Sequence, residues 1–466
     1  MIDISTLKGL TQDSREVKPG YLFAALPGVK ADGRDFIPAA IERGATAILA
    51  GQGTQLPEGT KNVTLATDQN PRRAFAKFAA GFYRHQPEYI VAVTGTNGKT
   101  SVVTFAQQLW EAAGCKASSL GTLKGKMTTP DPVALHAELA DLSTAGITHL
   151  AIEASSHGLD QCRLDGVNLA AAGFTNLSHD HLDYHKDMDA YFAAKARLFA
   201  ALLEPGKTAV LNADSAHFER LEEICKDRGL KIVSYGHRGR DLKIISAKPA
   251  SHGQKLELGL FGAHRDITLP LVGEFQVMNA LCALGLVVSG DPENKNLYIE
   301  ALEKLKNVPG RLQLVPGHPK GAAIYVDYAH TPDALENVLK ALRPHTGGKL
   351  VCVFGCGGDR DKAKRPVMGA IASTYADSVI VTDDNPRSEN PADIRAEILA
   401  ATSGAQEIGD RREAIHKTIN ALEAGDVLVI AGKGHEQGQI FATRTDHFDD
   451  VEEARAAIEH FTELAT

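Results

Sequence analysis

Tyr89-Ile90-Val91-Ala92-Val93-Thr94-Gly95-Thr96-Asn97-Gly98-Lys99-Thr100-Ser101 is the stretch that decides the fold. Tyr89 to Val93 is a continuous apolar run, the signature of a strand buried on both faces of a parallel sheet. A glycine-rich turn follows, and Ser101 to Ala113 carries a helical pattern. Strand, tight loop and helix in that order, with Gly95-x-x-Gly98-Lys99-Thr100 in the loop, predict a phosphate-binding loop. The glycines let backbone N–H groups turn toward phosphate oxygens, and the helix N-terminus adds its positive dipole end. Lys99 reaches the outer phosphates and the Thr100 hydroxyl suits Mg²⁺. The pattern departs from the longer G-x-x-x-x-G-K-[ST] because Val93 stands where the first glycine would be. Gly95, Thr96, Asn97, Gly98, Lys99, Thr100 and Ser101 are therefore the expected nucleoside-triphosphate site.

Working outward, His149–Glu153 and Ala170–Phe174 repeat the strand theme with helical segments between, the alternation of an open parallel sheet. Upstream, Tyr21–Leu26 and Thr46–Ala50 read as strands around a short helix, Phe36–Gly44. Downstream, a loop at Val308-Pro309-Gly310-Arg311 precedes the strands Ala322–Asp327, Leu350–Phe354, Ser378–Thr382 and Val427–Ala431. The expected fold class is α/β in three domains. Residues 1–86 form a small N-terminal α/β domain, 87–309 a central parallel-sheet domain with the phosphate loop, and 310–466 a Rossmann-like α/β domain. No repeat of solenoid period and no low-complexity tract is present.

The 466 residues are 43% hydrophobic and 23% charged, the balance of a globular protein able to bury several cores. A formal net charge of −8 argues against nucleic-acid and anionic-membrane partners, which select a basic face. Cys115, Cys162, Cys225, Cys282, Cys352 and Cys356 are scattered without a C-x-x-C pair, as expected for reduced thiols. No apolar run approaches the roughly 18 residues of a membrane helix, and Met1-Ile2-Asp3-Ile4-Ser5 has no basic start. A cytoplasmic monomer without membrane insertion is expected.

On residue chemistry alone, Glu153 at a strand end is either a metal ligand or a solvated carboxylate. The run Ser178-His179-Asp180-His181-Leu182-Asp183-Tyr184-His185 invites zinc, but interleaved aspartates and missing thiolates favour a harder ion. His179 and His185 read as structural. Lys195, in Tyr191-Phe192-Ala193-Ala194-Lys195-Ala196-Arg197-Leu198-Phe199, is of a kind that usually lies on a solvated helix face.

Taken together, Thr94–Thr100, Asp13-Ser14-Arg15, Thr128-Thr129-Pro130, Glu153–Gly158, Asn176–His181, Lys195, Asn279, Gly310-Arg311, Asp327–Pro332 and Gly432–Glu436 resemble the motifs of the Mur ligases and their folylpolyglutamate synthetase relatives. The resemblance spans nearly the whole chain and implies an ATP-dependent carboxylate–amine ligase that passes through an acyl phosphate. It implies catalytic roles for Lys99, Glu153, His181 and Lys195, with Mg²⁺ held by Thr100, Glu153, His181 and a carbamylated Lys195. It implies that Asn279, Arg311, Asp327 and His330 surround the adenosine and phosphates of ATP, and that ATP sits where the second and third domains meet.

The N-terminal Asp13-Ser14-Arg15, with Pro19–Ala25 and Val29–Gly33, resembles the uridine-binding domain of the third and fourth amino-acid-adding Mur ligases. Ser14, Thr128, Thr129, Ser155, Gln161 and Arg163 match positions that hold UDP-MurNAc-L-Ala-D-Glu. Asp384-Asn385-Pro386-Arg387 matches the form found where meso-diaminopimelate rather than lysine is added. The chemistry is direct: an arginine fork grips the second α-carboxylate that lysine lacks. Arg360, Gly432 and Glu436 complete the implied diaminopimelate site. Lysine addition, folate polyglutamylation, a non-catalytic nucleotide switch and a kinase are the competing readings.

Overall fold

The computed structural model describes residues 2–28, 31–123, 127–181, 184–250 and 253–465. By internal packing the chain divides into two units, Met1–Ser234 with Cys282–Tyr298, and Tyr235–Leu281 with Ile299–Thr466.

The first unit opens with four parallel strands, β1 (Gly9–Thr11), β2 (Tyr21–Ala25), β3 (Ala47–Gly51) and β4 (Thr64–Asp68), in sequence order. β2 is apolar throughout because both faces are covered. Leu22 and Ala24 enter one core with Leu49 and Phe75, while Phe23 and Ala25 enter another with Ile37 and Ile48. The segment read as a helix from Phe36 is instead a 3-10 turn, Gly33–Phe36, running into the helix Ile37–Glu42. Asp32 caps the turn by accepting from the Arg34 N–H, and so moves the start upstream.

Five parallel strands follow, β5 (Tyr89–Thr94), β6 (Ala117–Leu120), β7 (His149–Glu153), β8 (Leu169–Phe174) and β9 (Thr208–Asn212), in the order β9-β8-β5-β7-β6. β5 lies between β7 and β8, so the loops leaving all three open at one sheet edge where the strand order reverses, the usual place for a ligand in such folds. The helix after β5 runs Lys99–Ala112, two residues earlier than its periodicity suggests. Gly98 caps it in the left-handed region, φ +88°, which puts Thr100 and Ser101 inside the first turn.

In the second unit the end of β10 (Lys231–Gly236) pairs in parallel with β11 (Leu242–Ala250). β11, β12 (Gly253–Leu260) and β13 (Ala263–Leu269) then form an antiparallel meander. The sequence reading missed this meander. Its strands alternate buried and exposed positions and carry lysines and glutamates, so no apolar run marks them. Next come β14 (Gln313–Val315), β15 (Ala323–Asp327), β16 (Leu350–Phe354), β17 (Ser378–Val381), β18 (Gln406–Glu407) and β19 (Val427–Ala431), in the order β14-β15-β19-β16-β17-β18. All pairings here are parallel except β14 with β15. A two-stranded hairpin, β20 (Gly438–Ile440) and β21 (Thr445–His447), follows β19.

Candidate active site

The loop after β5 is held shut by the loop after β8. The Thr96 N–H donates to the Asn176 carbonyl at 2.9 Å. Asn97 N–H donates to Asn176 Oδ1 at 2.9 Å, and Asn176 Nδ2 returns a bond to the Asn97 carbonyl at 3.2 Å. Thr175 Oγ1 donates to the same carbonyl at 2.6 Å. Gly95, at φ +152°, passes so close that a Cβ would lie 1.8 Å from Thr175 Oγ1. Only glycine fits there, and the cause is the approach of another loop as much as the backbone angle.

Two lysines meet at the Gly95 carbonyl. Lys99 Nζ donates to it at 2.9 Å and to the Thr96 carbonyl at 2.8 Å. Lys195 Nζ donates to the Gly95 carbonyl at 2.7 Å. Lys195 is 1% exposed, so the solvated-face expectation is overturned. Its Nζ lies 4.4 Å over the Tyr191 ring one helical turn earlier. Burial, then the Lys99 cation, pushes its pKa well below the usual lysine range, with Asp180 opposing. The site thus favours the neutral amine.

Glu153 closes β7 and is buried. Its carboxylate accepts from Thr100 Oγ1 at 3.0 Å, the Thr122 N–H at 2.9 Å and Thr122 Oγ1 at 3.2 Å. A carboxylate and a hydroxyl side by side at the first turn of the phosphate-loop helix are the hard-oxygen donors Mg²⁺ prefers, so these two residues fit the ion. His181 is 45% exposed, at φ +53°, with Nε2 3.6 Å from Asp180 Oδ2. Burial lowers its pKa, and Lys99 and Lys195 contribute in the same direction. His157, His181, Tyr184, His185 and Tyr191 pack as one ring cluster. Among the described residues no group of three or more His, Cys, Asp or Glu is spaced to hold a metal. The six cysteines are free thiols. Leu182 and Asp183 of the histidine run, and Val29 and Lys30 of the N-terminal motif, lie outside the described residues.

The residues expected to hold the nucleotide dipeptide form a chain of bonds. Thr129 Oγ1 donates to the Glu153 carbonyl at 2.8 Å and accepts from the Ser155 N–H at 3.0 Å. Arg163 donates to the Thr129 carbonyl at 2.7 Å and to Gln161 Oε1 at 2.8 Å. Gln161 donates to the Tyr184 hydroxyl at 3.2 Å. Thr128 Oγ1 lies 3.1 Å from Thr122 Oγ1, one bond from Glu153. Ser14 begins the short turn Ser14–Glu16, capped by Asp13.

In the second unit Asp327 ends β15 with both carboxylate oxygens occupied by backbone. Leu312 N–H donates at 2.7 Å and Ala329 N–H at 2.8 Å. Burial raises its pKa to about 6 against the lowering pull of Arg311. These bonds make it a bracket on the Gly310–Leu312 turn, where Leu312 has φ +43°. Arg311 lies over the Tyr328 ring at 4.3 Å, His330 is exposed, and Asn279 Nδ2 donates to Gln276 Oε1 at 3.0 Å.

The loops after β16, β17 and β19 make the second cluster. Arg387, at φ +53°, is half-buried and donates from Nη1 to the Gly358 carbonyl at 2.8 Å. Asn385 is fixed on both sides. Its Oδ1 accepts from Lys433 Nζ at 3.0 Å and the Ile440 N–H at 2.9 Å, and its Nδ2 donates to Glu436 Oε2 at 2.9 Å. A Cβ on Gly432 would lie 2.6 Å from Asp384 Oδ2, and one on Gly358 would lie 2.0 Å from the Pro386 carbonyl. Arg360 is exposed at the tip of the first of these loops. Beneath them the buried Arg411 binds Asp450 through 2.7 Å and 2.8 Å bonds and caps the Ala431 carbonyl at 3.0 Å.

Three family models match in order: "Mur ligase family, catalytic domain" over residues 6–83, "Mur ligase middle domain" over 93–287 and "Mur ligase, glutamate ligase domain" over 310–434. The chain belongs to the Mur ligase family. It is 52% identical over 460 residues to a UDP-N-acetylmuramoyl-L-alanyl-D-glutamate--2,6-diaminopimelate ligase of Mesorhizobium japonicum, covering 97% of this chain and 94% of that one. A protein of the same name from Caulobacter vibrioides is 51% identical over 468 residues, covering 97% and 96%. A solved structure of a ligase of that name superimposes with TM-score 0.71 at 36% identity, covering 97% and 95%. MurF ligase from Thermotoga maritima, in complex with ADP, shares the fold at TM-score 0.63 and 20% identity.

The first unit of this Mur ligase brings Gly95–Ser101, Glu153, Lys195, Thr128, Thr129, Ser155, Gln161 and Arg163 to one sheet edge. The second brings Arg360, Asp384–Arg387, Gly432 and Glu436 together, with Arg311, Asp327 and His330 at the head of β15 and its approach. Sequence reasoning passed over Thr122 and Thr175, and gave no role to Tyr184 and Lys433 within the stretches it singled out. Lys433 had a signal, since a lysine between two glycines after an apolar strand has no helix face to lie on. Thr122 and Thr175 had none, because each acts on a residue distant in sequence.

Proposed function

We propose that this Mur ligase joins meso-2,6-diaminopimelate to the D-Glu γ-carboxylate of UDP-MurNAc-L-Ala-D-Glu, with ATP cleaved to ADP and phosphate. The γ-carboxylate oxygen attacks the γ-phosphorus, ADP leaves, and the amine then attacks the acyl carbon and expels phosphate. Arg387 carries the choice of amino acid, because its guanidinium is held at the sheet edge where a second α-carboxylate can be gripped by a fork. Lysine in that place leaves a half-buried cation without its anion. Asp384, Asn385, Pro386, Gly432 and Glu436 shape the pocket wall, Glu436 pairs the distal ammonium, and Arg360 adds a second cation.

The phosphate end of ATP falls to Gly95–Ser101, and the adenosine side to Asn279, Arg311 and His330. Asp327 acts through the turn it brackets. Ser14 serves the uridine diphosphate, and Thr128, Thr129, Ser155, Gln161 and Arg163 the muramyl dipeptide. Mg²⁺, when bound, neutralises charge building on the transferred phosphoryl group. Thr100 and Glu153 would hold it, joined by His181 and by Lys195 once carbamylated. A buried neutral amine is the form that attacks CO₂: the N–C bond forms, one C=O electron pair moves to oxygen, and the amine proton leaves to water. The neutral amine thereby becomes an anionic oxygen donor.

The same reading divides the chain into domains at 1–86, 87–309 and 310–466. It makes the protein a cytoplasmic monomer in peptidoglycan precursor synthesis, and so a contributor to cell shape and division. Ligation assays with UDP-MurNAc-L-Ala-D-Glu and ATP, offering meso-diaminopimelate and L-lysine separately and reading product mass, test the reading. Product with diaminopimelate alone is expected. Product with lysine alone overturns the role given to Arg387.

A further inference from the structure

Arg365 is fully buried, 0% exposed, on the helix Lys364–Tyr375. A cation in that position needs a reason, since burying it is costly unless it is paired; Nε is buried without a partner, so the two terminal nitrogens carry all the pairing. Its partners supply one. Nη1 donates to Glu389 Oε2 at 3.1 Å and Glu397 Oε2 at 2.9 Å, while Nη2 donates to Glu389 Oε1 at 3.0 Å and to the Gly357 carbonyl at 3.3 Å. Gly357 belongs to the loop after β16 that carries Arg360. Glu389 belongs to the loop after β17 that carries Arg387. One guanidinium therefore spans both loops.

Glu389 extends the join. It accepts from the Asp359 N–H at 2.6 Å and from Lys362 Nζ at 3.0 Å. These donors, Arg365 first, hold its carboxyl down to about 2. Asp359, at φ +55°, accepts in turn from Ser388 Oγ at 2.6 Å and the Ser388 N–H at 3.1 Å. Gly358 N–H donates to the Asn385 carbonyl at 2.9 Å. Asp359 and Ser388 are the chain neighbours of Arg360 and Arg387, so the clasp fixes the backbone on which both site arginines stand.

We infer that Arg365, through Glu389, is a positioning residue that sets the spacing of Arg360 and Arg387 and so governs selection of an amino acid with a second α-carboxylate. The inference rests on the proposed diaminopimelate reading. Glu397 offers an internal control. It touches the same guanidinium, is 41% exposed and belongs to neither loop.

The experiment uses the full-length enzyme and its Arg365→Lys, Glu389→Gln and Glu397→Gln variants, with KM, kcat and thermal midpoint measured for each. Lysine cannot reproduce the planar fork, and glutamine cannot satisfy both arginine and the Asp359 N–H as an anion does. Arg365→Lys and Glu389→Gln should raise KM for diaminopimelate about tenfold, with kcat and KM for ATP within about threefold. Their preference for diaminopimelate over lysine should fall by a similar factor. Glu397→Gln should lower the thermal midpoint without moving that preference. Wild-type enzyme that does not ligate diaminopimelate sinks the functional reading itself. Wild type that does, alongside Arg365→Lys and Glu389→Gln variants with unchanged KM and preference, overturns the clasp alone. An equal loss of preference in all three variants also overturns it, since a general loosening would then suffice.

Discussion

Replacing Gly95 by alanine should damage nucleotide binding for a reason that a second substitution can partly remove. The new Cβ would lie 1.8 Å from Thr175 Oγ1 and 3.1 Å from both the N and O of Asn176. Thr175 cannot swing away freely, because its hydroxyl holds the Asn97 carbonyl at 2.6 Å. Overpacking of this kind costs about 1–3 kcal/mol. The φ of +152°, unfavourable for any side chain, costs about 1–3 kcal/mol more. If the loop relieves the strain by opening, ATP affinity should fall about 30-fold to about 20,000-fold. In a Thr175→Ala background the clash partner is gone and only the backbone part persists. The two substitutions should therefore couple favourably, by about 1–3 kcal/mol in a double-mutant cycle. Titration calorimetry of ATP into the four proteins reads this directly, with circular dichroism confirming that each is folded. Gly95→Ala binding ATP within about threefold of wild type, or suffering the same loss with and without Thr175, would refute the reasoning.

Lys195→Ala should lose about 10²–10³ in kcat, the usual weight of one preorganised electrostatic group, and formate or acetate should restore part of it. No rescue by any short carboxylate counts against an anionic Lys195. Arg387→Ala should lose about 10²–10³ in kcat/KM with diaminopimelate, the cost of about 3–4 kcal/mol for an unpaired charge, and change lysine turnover far less. Equal losses with both amino acids would refute the specificity argument. Asp327 is a raised acid, from 3.8 to about 6, so the fold binds its proton more tightly than the unfolded chain does. The resulting stability is complete below 3.8 and is lost as pH climbs through about 6. Between about pH 5 and about pH 7 it amounts to about 1 kcal/mol. Denaturant melts of Asp327→Asn should lack that slope, and a variant with the wild-type slope would show that another group titrates there.

The elements that local sequence specified were legible. Ile90–Val93 had to be buried on both faces because no polar residue interrupts it, and the same holds for Leu350–Phe354 and Val427–Ala431, all strands as expected. The meander of β11 to β13 escaped because its strands are half-exposed and their pairing is non-local. Lys195 escaped as a buried group because lysine is weighed as a surface residue. Its neighbours held the contrary signal, since Tyr191, Phe192 and Phe199, at four, three and four residues from it, are all buried on the same helical stripe. Arg365 escaped for the same reason in the second unit.

What sequence separates least well is touching from holding. Asp327, Asn176, Thr129 and Asn385 stand in motifs that suggest ligand contact, yet each spends its bonds on backbone or on a neighbouring side chain. The two groups assigned to grip anions are themselves engaged. Lys99 lies on the Gly95 and Thr96 carbonyls, and Arg387 on the Gly358 carbonyl. A phosphate or carboxylate that takes over those bonds gains only the difference between a charged acceptor and a neutral one, about 1 kcal/mol or somewhat more per bond. That exchange keeps both cations satisfied before substrate arrives. It also ties selectivity to where the competing carbonyls stand, since a loop shift that strengthens Arg387 on Gly358 weakens it toward substrate. Residues that bond the loops themselves, such as Thr175 under the phosphate loop and Arg365 under the arginine loops, can then set affinity as firmly as the residues those loops carry.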